Sequence, residues 1–272
     1  MHNRARKSCP RFTVGRRRTI RTPMNRLIAQ LHLALVFMTR LPLPELGELP
    51  EGGLGPAMRT FPLVGAVVGG IAGLVYVLAH LLLPPTIAAL LALAAGILVT
   101  GCLHEDGLAD VADGFGGGKE IHQKLEIMRD SRIGSYGVVA VGLSLLLRAS
   151  AIASLSGTWR VACVLIAAHA LSRAVIPAVM LILPPVRIDG LGRGAGQPER
   201  EDAGAALLGA LLIALLLLPL GTAIAMTLTA CITAVGMSYI AFHQIGGQTG
   251  DVLGATEQLA QTAALLAAVA IL

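Results

Sequence analysis

The residues best equipped for chemistry stand together in His104-Glu105-Asp106-Gly107-Leu108-Ala109-Asp110-Val111-Ala112-Asp113-Gly114, with Gly116, Gly117 and Gly118 behind them. Asp106, Asp110 and Asp113 are spaced i, i+4 and i+7, which places them on one face of a helix. Carboxylates at that spacing repel one another, and a divalent cation reverses the sign of the problem. An all-oxygen, carboxylate set suits Mg²⁺ or Mn²⁺, and Mg²⁺ commonly takes one or two carboxylates together with substrate phosphates. The plain alternative is a solvated acidic loop between two membrane helices.

Two further stretches carry polar chemistry. In Arg129-Asp130-Ser131-Arg132-Ile133-Gly134-Ser135-Tyr136-Gly137, two guanidinium groups flank a carboxylate, a hydroxyl and an expected helix start. Free N–H groups and the helix dipole favour anions there, so the stretch reads either as a phosphate clamp or as a cap with arginines at the headgroups. In Gly246-Gly247-Gln248-Thr249-Gly250-Asp251-Val252-Leu253-Gly254-Ala255, glycines allow close backbone approach, Thr249 can donate, and Asp251 is expected to cap the last helix. Arg148, His169 and Arg173 fall inside apolar runs, where an unpaired cation costs at least about 2.5–3.5 kcal/mol. Each must therefore meet a partner or a polar interior. Ser172-Arg173 is the better functional candidate of these, with His169 on the same helix face.

The elements that hold these residues are membrane helices. Mean hydropathy is +0.74, with 55% hydrophobic and only 14% charged residues, so the chain is expected to be an all-α polytopic membrane protein. With aromatics at 3% and 32 glycines, the helices must pack through small residues. The net charge of +5 is misleading: nine basic residues and no acids lie between Met1 and Arg26, and the remainder carries −4. The positive charge is thus an arm and not a nucleic-acid-binding body. Residues 1–23 read as a basic, disordered extension, with Met24 a plausible start in its own right, and 24–272 as one membrane-embedded domain. Cys9, Cys102, Cys163 and Cys231 show neither disulfide nor zinc spacing.

Leu27 to Leu43 is apolar but short, and suits an interfacial or re-entrant helix. Seven spans are then expected: Phe61–Leu83, Thr86–Leu103, Ile133–Leu155, Val161–Leu183, two between Ala203 and Phe242 divided at Pro219, and Val252–Leu272. With the basic stretch on the cytoplasmic side, this topology puts the three long polar segments, 104–132, 184–202 and 243–251, in the cytoplasm and leaves tight turns on the other face. One developed face suits an enzyme better than a transporter.

Taken in order, Arg40-Leu41-Pro42-Leu43-Pro44, Phe61-Pro62-Leu63-Val64-Gly65, the acidic segment His104 to Gly114, Met128-Arg129-Asp130-Ser131-Arg132-Ile133-Gly134, Ser172-Arg173 and Thr249-Gly250-Asp251-Val252-Leu253-Gly254-Ala255 closely resemble the cobalamin synthase (adenosylcobinamide-GDP ribazoletransferase) family. The resemblance covers the chain from about Asn25 onward. It implies a bacterial inner-membrane transferase that requires Mg²⁺. A ribose hydroxyl of α-ribazole, or of its 5′-phosphate, attacks the cobinamide-side phosphate of adenosylcobinamide-GDP, GMP leaves, and adenosylcobalamin or its 5′-phosphate results. On this reading Asp106, Asp110 and Asp113 hold the metal. Arg129, Ser131, Arg132, Arg173, Thr249 and Asp251 bind substrate, and His104, Glu105 or Asp130 takes the nucleophile's proton.

Two rivals stand beside it. A CDP-alcohol phosphotransferase shares Asp110-Val111-Ala112-Asp113-Gly114 with its motif, but Phe115-Gly116-Gly117-Gly118 stands where that motif continues with Ala-Arg. A cation or small-molecule transporter would place carboxylates near mid-membrane in broken helices.

Overall fold

The apolar runs do become helices in the computed structural model, which describes residues 23–44, 52–187 and 196–272. Those residues form α1 (Pro23–Met38), α2 (Leu54–Ala57), α3 (Phe61–His80), α4 (Pro85–Thr100), α5 (Leu103–Gly117), α6 (Ile121–Ile127), α7 (Ser135–Ser154), α8 (Thr158–Ile182), α9 (Arg200–Leu217), α10 (Leu220–Ile245) and α11 (Gly250–Ile271), with a 3₁₀ turn at Met58–Thr60. The basic arm up to residue 22 lies outside the described residues, as do Asp189 and Arg193.

Among the described residues, five helices are long and apolar enough to cross a membrane, or six if the bent pair α4–α5 counts as one span. The expected count of seven is not confirmed, for two reasons. Helix α4 has 16 residues, about 24 Å of rise, short of the ~30 Å hydrocarbon core. Helix α9 has 18 residues but opens on Arg200, Glu201 and Asp202. The bend between α4 and α5 is 91°. It is made by two successive left-handed residues, Gly101 at φ 65° and Cys102 at φ 62°, the second unusual for a residue with a Cβ.

Helix α8 is the axis of the bundle, with most of its length enclosed. Its largest interface is with α3, and a stripe of glycines explains why. A Cβ at Gly65 would collide with the His169 carbonyl, one at Gly69 would meet the Leu165 carbonyl at 2.6 Å, and one at Gly73 would meet Ala162 at 3.0 Å. This is small-residue packing of the kind that replaces hydrophobic collapse in a membrane. It also gives Phe61-Pro62-Leu63-Val64-Gly65 a role: Pro62 sits in the first turn of α3, and Gly65 admits the α8 backbone. On the outer faces large apolar side chains are bare, among them Leu216 at 83% and Leu98 at 74% exposure, as lipid contact requires.

The three polar segments come together at one end. Lys124 donates to the Gln244 side chain at 2.5 Å, joining the first to the third. Val186 N donates to Gln248 O at 3.0 Å and Gln248 N to Pro184 O at 2.9 Å, which pins the second to the third. The Arg59 guanidinium pairs with Asp202 at the same end.

Candidate functional site

Helix α5 carries Asp106, Asp110 and Asp113 as their spacing predicts, but their surroundings differ. Asp106 is exposed, Asp110 half-buried and Asp113 buried. Both oxygens of Asp113 are engaged: Gly134 N donates to Oδ2 at 2.7 Å and Gly137 N to Oδ1 at 2.9 Å. A carboxylate of α5 thus caps α7, supplying acceptors to orphan N–H groups and a negative charge to the positive end of the dipole. A Cβ at Gly134 or Gly137 would strike that carboxylate, so the glycines of the Ile133-Gly134-Ser135-Tyr136-Gly137 stretch make room for it. That helix start, which reads either as a phosphate clamp or as a cap, is capped from within the protein, by Asp113.

Asp251 takes up the acidic face where Asp113 leaves it. Asp110 lies in the field of Asp106 and Asp251, of Asp113, and of the Arg187 guanidinium. Helices α5 and α11 approach closely enough for this because Gly107 has no side chain: a Cβ there would meet Asp251 O at 2.8 Å. The expected cap of α11 is corrected. Thr249, not Asp251, is the N-cap and accepts from Val252 N at 3.3 Å. Asp251 is left to accept from Thr249 Oγ1 at 3.2 Å and from Arg187 at 2.9 Å.

Arg187 was not among the expected site residues. Its guanidinium also donates to Leu125 O at 3.2 Å, and its Nε has no hydrogen-bond partner among the described residues. The bridge between Pro185 and Gln248 delivers it. Arg132 forms an exposed two-point pair with Asp130, Nη2 to Oδ2 at 2.6 Å. Hydrogen bonds from the Arg132 side chain hold the Asp130 carboxyl down at about 2, so it stays ionised and is a poor acceptor for a hydroxyl proton. Arg129 and Ser131 belong to the same surface turn.

Behind the acidic face, four helices share a buried polar network. Glu257 of α11, fully buried, accepts from Ser172 at 2.7 Å and from Arg173 at 2.7 Å. Gln258 donates to Glu257 and to Glu105, each at 3.0 Å. Arg148 donates to Gln261 at 3.0 Å and has Glu105 at 3.6 Å, while His169 meets both Arg173 and Gln261. His104 Nδ1 faces Glu257 at 3.6 Å. Two arginines balance two glutamates, which satisfies the demand that intramembrane ions be paired. Glu105 and Arg173 are therefore set in the core, and Arg148 finds the acid it needs. The missed members, Glu257, Gln258 and Gln261, carried a signal: an acid and two amides inside an otherwise apolar last span. A transporter would also bury acids beside a broken helix, but here the arginines neutralise both.

A cleft of about 210 Å³ opens beside Asp106 and Asp251, with His104 in its wall and apolar residues from α1, α2, α3 and α8 around it. Among the described residues no three His, Cys, Asp or Glu side chains converge enough to hold an ion alone. Mg²⁺ commonly takes only one or two protein carboxylates, with substrate phosphates and water completing its shell.

An all-α bundle of long apolar helices, with carboxylates and guanidinium groups gathered at one end, is a polytopic membrane protein. The sequence model of the family described as Cobalamin-5-phosphate synthase matches residues 30–269, and the chain belongs to that family. Relatives named adenosylcobinamide-GDP ribazoletransferase include one from Mesorhizobium japonicum, 49% identical and covering 89% of this chain and 93% of its own. Another, from Bradyrhizobium diazoefficiens, is 46% identical over 90% and 94%. One from Shewanella frigidimarina is 39% identical over 90% and 96%. No solved structure matches the chain.

Proposed function

We propose that this chain joins adenosylcobinamide-GDP to α-ribazole or its 5′-phosphate, releasing GMP and forming adenosylcobalamin or its 5′-phosphate. The site is the acidic face of α5 and α11, on the cytoplasmic side of a bacterial inner membrane. The observation that carries the reading is the Arg187–Asp251 pair, which joins the second polar segment to the start of α11, with Asp110 in the field of both and of Asp106. The relatives' shared name supplies the substrates.

In the reaction a ribose oxygen forms a bond to the cobinamide-side phosphorus, the bond from that phosphorus to the bridging oxygen breaks, and GMP departs with the electron pair. Such transfers need positioning and charge stabilisation more than covalent help from protein. Asp106, Asp110 and Asp251 would hold Mg²⁺, which when bound neutralises diphosphate oxygens. This set replaces Asp113 with Asp251, because Asp113 is committed to capping α7. Arg187 leaves Asp251 for a phosphate oxygen, and Arg129 and Arg132 bind the outer nucleotide. Of the three candidate bases, Glu105 is tied to Gln258 and Arg148, and Asp130 is too acidic. His104, in the cleft wall with Glu257 behind it, accepts the hydroxyl proton.

The test is formation of the joined corrinoid by purified protein in detergent with both substrates and Mg²⁺. Product requiring both substrates supports the proposal, and its absence from folded protein contradicts it.

A further inference from the structure

Gly114 and Gly118 stand one turn apart at the end of α5, and each receives part of the segment that follows. A Cβ at Gly114 would strike Met128 and meet Lys124 O at 3.0 Å, and one at Gly118 would meet Lys124 Cγ at 2.5 Å and Lys124 N at 2.8 Å. Helix α6 therefore lies against the bare end of α5. It has seven residues and buries no side chain of its own, and so short a helix is not stable by itself. What fixes it sideways is polar. Lys124 Nζ donates to the Gln244 side chain at 2.5 Å and to Gln244 O at 3.4 Å, which ties α6 to the end of α10.

A carbonyl next to Lys124 links this tether to Arg187. Leu125 O lies in the last turn of α6, where carbonyls lack intrahelical donors. The N–H of Arg129 donates to Glu126 O and that of Asp130 to Ile127 O, each at 3.0 Å. Leu125 O is met by the Arg187 guanidinium, Nη2 at 3.2 Å, while Nη1 of the same group holds Asp251 at 2.9 Å. A cation there also suits the negative end of the helix dipole. The carbonyl can keep its hold when Arg187 exchanges Asp251 for a phosphate oxygen. Holding a long, rotamer-rich side chain in place before a ligand arrives removes part of the ordering cost of binding.

We infer that Lys124 is a positioning residue for the transfer: it fixes α6 on Gln244, and the Leu125 carbonyl then holds Arg187 at the acidic face, ready for a phosphate of the donor. The inference rests on the proposed role of Arg187 as a phosphate ligand. Lys124 itself touches neither substrate.

Turnover and the affinity for GDP with Mg²⁺ are measured on the full chain in detergent for wild type, Lys124→Met, Arg187→Ala and the double variant. Thermal unfolding shows that each is folded. Gln244→Ala cuts the tether from its other end and carries the test should Lys124→Met fold poorly. Lys124→Arg, which still has donors for Gln244, is the conservative rescue. The expected result is a loss of about tenfold in kcat/KM and in GDP affinity for Lys124→Met and Gln244→Ala, with Lys124→Arg within about threefold of wild type. In the Arg187→Ala background, Lys124→Met should change either quantity by less than about twofold, because the group through which it acts is gone. An equal loss in both backgrounds overturns the inference, since Lys124 then meets the ligand itself or only stabilises the fold. Wild-type values in folded Lys124→Met and Gln244→Ala variants overturn it as well. GMP release with additive variants leaves the reaction standing and removes the positioning role. A Lys124 effect on GDP affinity that needs Arg187, without GMP release, keeps the positioning role and removes the reaction. Folded wild type that neither turns over nor binds GDP overturns both.

Discussion

The Arg187 guanidinium donates to the Asp251 carboxylate at 2.9 Å, across 64 residues of sequence. This pair places a protein cation at the edge of a cluster of like charges, on a segment pinned by the Pro185–Gln248 bridge.

Arg187→Ala should lower turnover about 10- to 100-fold, the equivalent of one charge-assisted hydrogen bond at about 1.5–3 kcal/mol. It should also tighten Mn²⁺ binding in the absence of nucleotide, because a competing cation has been removed from the carboxylates. Turnover with the corrinoid donor and Mn²⁺ spectroscopy check the two halves. Unchanged values in both would refute a role for Arg187 at the site.

Asp106 and Asp113 separate function from stability on one helix. Asp106 is exposed, so Asp106→Ala should alter stability within about 0.5 kcal/mol while turnover falls about 10²–10³-fold. Asp113→Ala strips the acceptor from two backbone amides and should cost about 1–3 kcal/mol. Thermal unfolding beside turnover distinguishes them. If Asp106→Ala is the variant that melts early, the assignment is reversed.

Glu257 and Arg173 form a buried pair at 2.7 Å. Glu257→Ala leaves the guanidinium unpaired and should destabilise by about 3–5 kcal/mol. The double change Glu257→Met with Arg173→Met should recover much of that loss, since no lone charge remains. Unfolding of the single and double variants is the measurement, and a double variant no better than the single contradicts the pairing.

Gly69 and Gly70 are neighbours with opposite tolerances. A Cβ at Gly69 meets the α8 backbone, whereas one at Gly70 meets nothing within 4 Å. Gly69→Ala should therefore cost about 1–3 kcal/mol by forcing the helices apart, and Gly70→Ala should be neutral. Equal melting temperatures would show that the stripe does not set the α3–α8 distance.

Much of the fold follows from hydropathy because lipid imposes long apolar helices, and the boundaries of α8, α10 and α11 fall within a few residues of the expected ones. The acidic helix was legible for a related reason: 3.6-residue periodicity puts three aspartates on one face whatever they later contact. What each aspartate does was not legible. Asp113 is consumed by the start of α7, 21 residues on, and only tertiary packing reveals that. Arg187 could not be chosen among the loop arginines, because its position depends on a backbone bridge to residue 248. Glu257 could have been found, since an acid inside an apolar span demands a cation and Arg173 was already known to need a partner. The count of seven spans is not confirmed because hydropathy registers neither a 91° bend at Gly101-Cys102 nor the charged first turn of α9.

The central claim is that group transfer takes place on the acidic face of α5 and α11. The most direct measurement is GMP release by wild-type and Asp110→Asn protein, reconstituted in liposomes with adenosylcobinamide-GDP and α-ribazole 5′-phosphate, across a titration of Mg²⁺. The account predicts release that needs both substrates, vanishes with a chelator, and falls at least about 100-fold in the folded Asp110→Asn variant. Wild-type release from that variant, or release indifferent to the chelator, would contradict it.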